Sequence, residues 1–457
     1  MTRPVTISRR ALLAGAGGLG LGALGGCVQG SATRSSGDGL SLWMTFSSST
    51  QRDYFRRTFV DAFNTQHDGA PLRLTIRGDG DSLQRLQRTA IASGSGPDLI
   101  YTAGPSYGLE FVQAGKFRAL DEYSRQYGWE EVLQPWAYGA GVLGGTSYMI
   151  PTSYETMIMV YNARTFEEHG WTVPTTRAEF EEYASAAAAA GVMPVAIGNA
   201  DWAATTEWLV SIFFNHAAGP EVIHQALTGE IPWTDQRIVD AVALLKDYFD
   251  RGWMGGGTQA YFTNREAQLW AKLVDGSAGV YFVGSWAFTS MAPYFSTEAG
   301  NYDDWDWAPI PAFGDETTRD LYAIGVGSTY SINADSPRQD DAAAYIDFLL
   351  SDRAAQMQAV AEVQSQPIPL EYRPDDYPGG MDPRIRRLYD GVTEAERIGY
   401  LTWTFWPPRS DVYIYEEMDR VITGQLTPEA YCAGLDELFR TEAEQGKVPP
   451  TPEPVIA

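Results

Sequence analysis

Leu40-Ser-Leu-Trp-Met-Thr-Phe46, Leu72-Arg-Leu-Thr-Ile76 and Pro97-Asp-Leu-Ile-Tyr101 are three short apolar runs, and what separates them decides the fold. Between the first two, Gln51 to His67 places Phe55, Phe59, Ala62 and Phe63 on one face of a helix. Between the second and third, Asp81-Ser-Leu-Gln84 opens another helix with capping-box spacing. The resulting β-α-β-α-β order predicts an α/β fold, a parallel sheet with helices on both faces. Ligands on such sheets sit beyond the carboxyl ends of the strands, where loops converge.

A second α/β series begins at Met149 to Asn162, two strand-like pieces around Pro151. Arg164 to Glu168 reads as a short helix stopped by His169-Gly170, and Thr176-Arg-Ala-Glu179 caps an Ala-rich helix that ends at Gly191. Further strands are predicted over 194–198, 278–282, 305–310 and 321–326, and helices over 202–216, 235–251, 339–350 and 411–444. The Pro-rich tail, 446–457, reads as loose. At 457 residues two lobes are expected, and no internal repeat or Pro/Gly/Ser linker divides the middle. The chain should therefore pass between the lobes more than once.

Composition removes several function classes. With Lys+Arg 33 against Asp+Glu 58 the formal net charge is -25, so no nucleic-acid partner is expected and an anionic membrane is not held by charge alone. Two cysteines, Cys27 and Cys432, make neither a disulfide scaffold nor a thiolate metal site. His67, His169, His216 and His224 lack any tight ligand spacing, and no metal or other cofactor is expected.

Residues 1–26 read as an export signal. Arg3, Arg9 and Arg10 precede an apolar, Gly-rich stretch from Ala11 to Leu24, too short to span a bilayer comfortably. Ser8-Arg-Arg-Ala-Leu-Leu13 looks like a twin-arginine address, and Leu24-Gly-Gly-Cys27 resembles a bacterial lipobox with Cys27 as the lipidated residue. Residues 28–39, Ser/Gly-rich, read as a tether. The mature chain would start at Cys27, losing three arginines and no acid, so that -25 becomes -28. The expected location is the outer face of the cytoplasmic membrane, or the periplasm, as a lipoprotein.

Gly104-Pro-Ser-Tyr-Gly108 matches Gly-x-Ser-x-Gly between a strand and a helix, the context of a nucleophile elbow. Such a serine needs a histidine late in the chain, and the last one is His224. The other reading is a turn whose Ser106 caps or hydrogen-bonds. A hydrolase using Ser106, or a glycosidase carboxylate pair, remains the alternative from another class. Gly78-Asp-Gly-Asp81 lacks the rest of a calcium loop, and Gly325-Val-Gly-Ser328 lacks a phosphate-loop lysine.

Aromatic residues recur at strand ends and helix starts: Tyr154, Trp202, Trp286, Trp403 and Trp406. A flat ring can lie on the axial C–H face of a sugar while acids, amides and Arg bind its hydroxyls. Gly284 and Ser285 leave room beside Trp286 for a ligand near the backbone. Asp201 beside Trp202, Arg409 after Pro407-Pro408 and Asp79 in a Gly-rich loop are added on residue chemistry, and Ser47 completes the candidate set.

Matching pieces then run in order along the mature chain: Ser93-Gly-Ser-Gly-Pro-Asp98; Pro151-Thr-Ser-Tyr-Glu-Thr156 with Val160-Tyr-Asn162; and Val173-Pro-Thr-Thr176 with Glu179-Phe180. Gly276-Ser-Ala-Gly-Val280 with Gly284-Ser-Trp286, Trp307-Ala-Pro-Ile-Pro311 and Ala342-Ala-Ala-Tyr-Ile-Asp-Phe348 follow. Together they resemble the family 1 extracellular solute-binding proteins, the sugar receptors of bacterial ABC importers, to which maltose-binding protein belongs. The resemblance implies a type II-like periplasmic binding fold of two α/β lobes, 40–151 plus 311–365 and 152–310 plus 366–445, joined by a multi-strand hinge around a ligand cleft. It implies a monomer that closes on a carbohydrate and hands it to membrane permease subunits. It also implies that Glu155 binds sugar hydroxyls at the hinge and that Trp286 stacks on a ring, with looser matches at Trp202, Trp403 and Trp406. Receptors for glycerol phosphate or a polyamine are the rivals within this class.

Overall fold

The computed structural model describes residues 39–46, 48–78, 80–314 and 317–454, all within one compact unit, Gly37–Ala457. The signal, Cys27 and nearly all of the tether lie outside the described residues, as do Ser47 and Asp79. Among the described residues eleven strands occur in chain order: β1 Leu40–Met44, β2 Leu72–Ile76, β3 Leu99–Thr102, β4 Val142–Leu143, β5 Thr146–Ser147, β6 Ile150–Asn162, β7 Met193–Ala196, β8 Ala278–Gly284, β9 Trp305–Ala308, β10 Tyr322–Ile332 and β11 Ile398–Tyr400.

The main sheet has the order β2-β1-β3-β10-β6-β8-β7, with β11 on β10 and β9 on β6. β1 runs parallel to β2 and β3, and β7 parallel to β8, as the β-α-β reading predicts. The sheet as a whole is mixed, however, because β10 is antiparallel to β3 and β6, and β6 is antiparallel to β8 and β9. The parallel pairing read from the first three strands does not extend to β6 and β10, the long strands that follow. Pro151, read as a break, lies inside the 13-residue β6. It sits near that strand's start, where its missing N–H costs one ladder bond.

Two apolar cores flank these long strands. One gathers Leu40, Leu42, Leu99, Trp129, Ile150, Tyr330, Tyr345 and Ile346. The other gathers Ile158, Val160, Phe180, Val195, Leu245, Val280, Phe282, Ile324, Trp406 and Leu435. β6 and β10 contribute to both cores, and the sheet changes partners along them: Thr329–Ile332 pair with β3, while Tyr322–Ile324 pair with β11. A third passage runs from the end of helix Arg353–Val363 to helix Pro383–Glu394 and is tied to β6 by Tyr154 N–H donating to the Pro367 carbonyl at 3.0 Å.

Local chemistry explains several element ends. Thr176 and Glu179 form the reciprocal capping box that their spacing predicts. Gly170 stops helix Ala163–His169 in the left-handed region at φ 67°. The tail, expected to be loose, is held over part of its length: Ile398 N–H donates to the Pro454 carbonyl at 2.9 Å and the Tyr400 hydroxyl to that of Pro452 at 2.7 Å. β11 is otherwise an edge strand: the tail takes its Ile398 N–H, and Asn215 accepts the Tyr400 N–H and donates to that residue's carbonyl.

Candidate functional site

The three passages converge on one polar node. On β6 the side chains alternate, so Glu155 and Tyr154 face opposite ways. Glu155 is 8% exposed and accepts a hydrogen bond from the Gln366 amide on the third passage. Its carboxylate lies over Gly327 of β10, where a methyl group would overlap its Oε2. The β6–β10 register shifts on either side of Ser328. Ser328 Oγ in turn lies 2.7 Å from Ser153 Oγ and 3.0 Å from Thr152 Oγ1.

Burial pushes the Glu155 carboxyl up to about 7, against the pull of the Gln366 amide and, more weakly, of the Trp403 indole N–H. That indole nitrogen points near the carboxylate without reaching full hydrogen-bond geometry. Trp403 packs on Trp286 with ring centroids 6.0 Å apart, and Trp286 on Trp208 at 4.9 Å, both edge-on. Trp208 and Trp286 are half-buried, leaving ring surface open to a ligand.

A cavity of about 570 Å³ opens beside this node, lined by Thr45, Phe46, Tyr101, Thr152, Ser328 and Gln366 and by Glu266 from the other half. A second, of about 620 Å³, draws Arg88 and Tyr107 from one half and Trp202 and Arg409 from the other. The Arg409 guanidinium, which lines this cavity, has no ion pair among the described residues.

The candidate residues separate on this geometry. Glu155, Trp286 and Trp403 come together, and Trp202 and Arg409 share the second cavity. Tyr154 points away, packing edge-on against Tyr389 at 5.6 Å. Trp406 is fully buried against Phe214 and Trp233 and belongs to the core. Asp201 pairs with Arg265 at 2.6 Å and accepts the Glu266 N–H at 2.9 Å, holding the start of helix Glu266–Val274. Ser285 is buried and extends the strand pairing to Thr156, its N–H donating to that carbonyl at 2.9 Å. The space over Gly284 is filled by the Trp286 ring itself, which a methyl group there would overlap. Gly284 thus seats the indole and leaves no gap for a ligand, contrary to the reading from sequence.

A family model described as bacterial extracellular solute-binding protein matches residues 47–356. The chain belongs to that family. Among its relatives is a probable sugar-binding periplasmic protein of Mesorhizobium japonicum, 23% identical over 212 residues, which are 46% of this chain and 49% of the relative. The chain thus spans about half the length of that curated relative. Solved structures share the fold over most of both chains. A chitin oligosaccharide binding protein is 20% identical, with TM-score 0.74 over 89% of this chain and 99% of the other. The maltose/maltodextrin-binding domain of Bdellovibrio bacteriovorus, bound to maltotriose, is 16% identical, with TM-score 0.65 over 89% and 99%.

The family is an extracellular one, and among the described residues no helix is long and apolar enough to cross a membrane. In this solute-binding protein the Gly-x-Ser-x-Gly turn has a packing role. Ser106 is buried and its hydroxyl donates to the Trp406 carbonyl at 2.7 Å, tying helix Pro105–Gln113 to the segment that carries Trp403. Gly104, at φ 108°, brings the turn against the Trp403 backbone, where a Cβ would stand 3.0 Å from the carbonyl oxygen. We expect Ser106→Ala to cost about 1 kcal/mol in denaturant unfolding, the worth of one buried hydrogen bond. A fluorophosphonate should leave the wild type unlabelled. Stoichiometric labelling lost in Ser106→Ala would restore the hydrolase reading.

Sequence reasoning missed Gln366, which lies between two helices in a Pro-flanked segment without periodicity. It also missed the buried pair Glu207 and Asp411, 2% and 3% exposed, which face each other across helices Thr205–Phe213 and Pro408–Ile422. Burial raises both carboxyls; the charge of Asp411 raises Glu207 further, while a hydrogen bond from Glu207 favours the ionised form of Asp411.

Proposed function

We propose that this protein is a lipid-anchored carbohydrate receptor that closes two lobes, 40–151 plus 311–365 and 152–310 plus 366–445, on an unaltered di- or oligosaccharide. It presents that sugar to the permease of an ABC importer. The observation that carries this reading is the node where Glu155 and Gln366 lie beside Trp403 and Trp286, next to a cavity walled from both halves. A sugar needs flat apolar surface on one side and mixed donors and acceptors on the other, and this arrangement supplies both. Neither half alone desolvates both faces of a ring, so the ligand favours the closed state and shifts the population towards it. Micromolar affinity corresponds to roughly -8 kcal/mol, within reach of two stacked rings and several charge-assisted hydrogen bonds. No bond is made or broken. Cys27 would carry the lipid, and 28–39 the reach from the membrane.

The rivals within the class fit less well. A polyamine needs ionised carboxylates in the cleft, whereas Glu155, Glu207 and Asp411 are all held towards their neutral forms by burial. Glycerol phosphate needs convergent cations, and of the two arginines at the second cavity Arg88 is paired with Glu110.

Calorimetry and thermal-shift screening of the tag-free mature chain test the proposal, using N-acetylglucosamine oligomers, xylo-oligosaccharides, maltotriose and galactose. A saturable, turnover-free heat and a raised Tm are expected with at least one. Release of reducing sugar, or silence across the panel, would count against it. Glu155→Gln should weaken binding of the selected sugar less than Glu155→Ala, because the amide keeps one acceptor; equal, negligible effects would remove Glu155 from the site.

A further inference from the structure

The segment that follows helix Arg353–Val363 is unusually constrained for a connection. Gln364 is the single non-glycine residue with positive φ among the described residues, at 48°, in the left-handed region that is strained for an L-residue. Its carbonyl accepts the Thr289 hydroxyl at 2.5 Å from the opposite half. Three residues on, Pro367 restricts the backbone of Gln366 to extended conformations and takes the Tyr154 N–H on its own carbonyl. Gln366 is therefore clamped on both sides. Its side chain is half-buried, reaches Glu155 and lines the 570 Å³ cavity.

One N–H of the Gln366 amide is committed to Glu155 Oε2. Its other N–H and its Oε1 have no partner among the described residues and belong to a side chain that lines the cavity. A donor and an acceptor side by side on one planar group match a vicinal diol, one hydroxyl accepting and its neighbour donating. We propose that Gln366 is the specificity-determining residue of the cleft, its amide fixing the Glu155 carboxyl with one hand and reading a vicinal diol of the carbohydrate with the other. This rests on the carbohydrate reading above for its ligand half only.

The pairing has a pH signature. The charge of Glu155 acts on Tyr101 from β3, Tyr389 from helix Pro383–Glu394 and Glu207 from helix Thr205–Phe213, raising each, and no cation pairs with it among the described residues. The Gln366 N–H is thus the main group favouring the ionised carboxylate. Removing it should harm the protein where Glu155 is ionised and spare it where Glu155 is neutral.

Two arms test this. In the ligand-free mature chain, Gln366→Leu should lower Tm more at pH 8 than at pH 5, and the difference should vanish in a Glu155→Gln background. An equal loss at both pH values, or its persistence with Glu155→Gln, overturns the positioning role. In the second arm, the panel sugar giving the largest thermal shift with wild type is titrated into the variants. Gln366→Leu should weaken it at least tenfold, and Gln366→Glu should retain binding at pH 5 and lose it at pH 8. Affinity within twofold of wild type in Gln366→Leu overturns the ligand half, as does a panel in which no sugar binds. That last outcome also fells the carbohydrate reading, while the first arm still decides the pairing.

Discussion

Replacing Trp286 by alanine is expected to weaken binding of the selected sugar by ~2 kcal/mol or more, about thirtyfold, while the chain stays folded. Trp286 occupies the middle of an edge-to-face row, Trp208 to one side and Trp403 to the other. An indole buries about 150–250 Å² when covered, so truncation removes the largest single apolar contact available to a ligand there. It also unseats Trp403, the ring beside Glu155. The fold should survive because Trp286 is half-buried and its backbone role, capping the short helix Ala287–Met291, needs no side chain. Calorimetric Kd values alongside far-UV circular dichroism and Tm decide the matter. Unchanged affinity with an intact fold would place the ligand elsewhere, and the second cavity around Trp202 and Arg409 would then be examined first.

Much of this arrangement can be traced to legible features of the chain. Alternating Leu40, Leu42 and Met44, all buried, announce a strand, and the Thr176–Glu179 spacing announces a helix start, because both are local consequences of backbone geometry. Strand direction is a different matter. Whether β10 runs with or against β3 depends on where a chain of over two hundred intervening residues returns, and no short-range pattern records that. The candidate pair Tyr154 and Glu155 illustrates an inference that was available: neighbours on one strand face opposite sides, so at most one of them can reach a given cleft. Trp403 and Trp406 illustrate one that was not. Trp403 lies within the single helical turn Thr402–Phe405 and Trp406 follows it; both are buried, and only the packing of Trp406 on Trp233 and Phe214, against that of Trp403 on the half-buried Trp286, separates their surroundings. Gln366 owes its place to a left-handed Gln364, a following proline and a strand two hundred residues earlier, a conjunction invisible until the chain is folded.

Raising the pH from 5 to 8 should lower the stability of the ligand-free protein by several kcal/mol, and the reason is a set of carboxyls buried without cations. Glu155 is raised to about 7 and Asp419 to about 6 by burial, the latter opposed by hydrogen bonds from Thr206 and Asn199, and burial also raises Glu207 and Asp411, Glu207 further by the charge of Asp411. A carboxyl whose folded pKa exceeds its unfolded value of about 4 binds its proton more tightly when folded, so its contribution is fully present below that value and is lost as pH climbs through the folded one. For Glu155 alone, a rise from 4.5 to about 7 is worth on the order of 3 kcal/mol. One group works the other way. His216 is buried, its ring nitrogens have no partner among the described residues and it is depressed to about 3, so below its ordinary range near 6.5 the unfolded chain gains a proton that the folded one refuses. Between pH 5 and 6.5 that single imidazole opposes four carboxyls, and above 6.5 it contributes nothing, so the carboxyls decide the slope throughout. The carboxylates held low, Glu179, Asp235 and Asp382, titrate beneath this window and leave it unaffected. Denaturant unfolding at pH 5, 6, 7 and 8, with the m-value held constant, measures the effect. A flat or rising profile would mean that water reaches these groups in solution, whereas Glu155→Gln should remove its share of the slope and Glu207→Gln a further part.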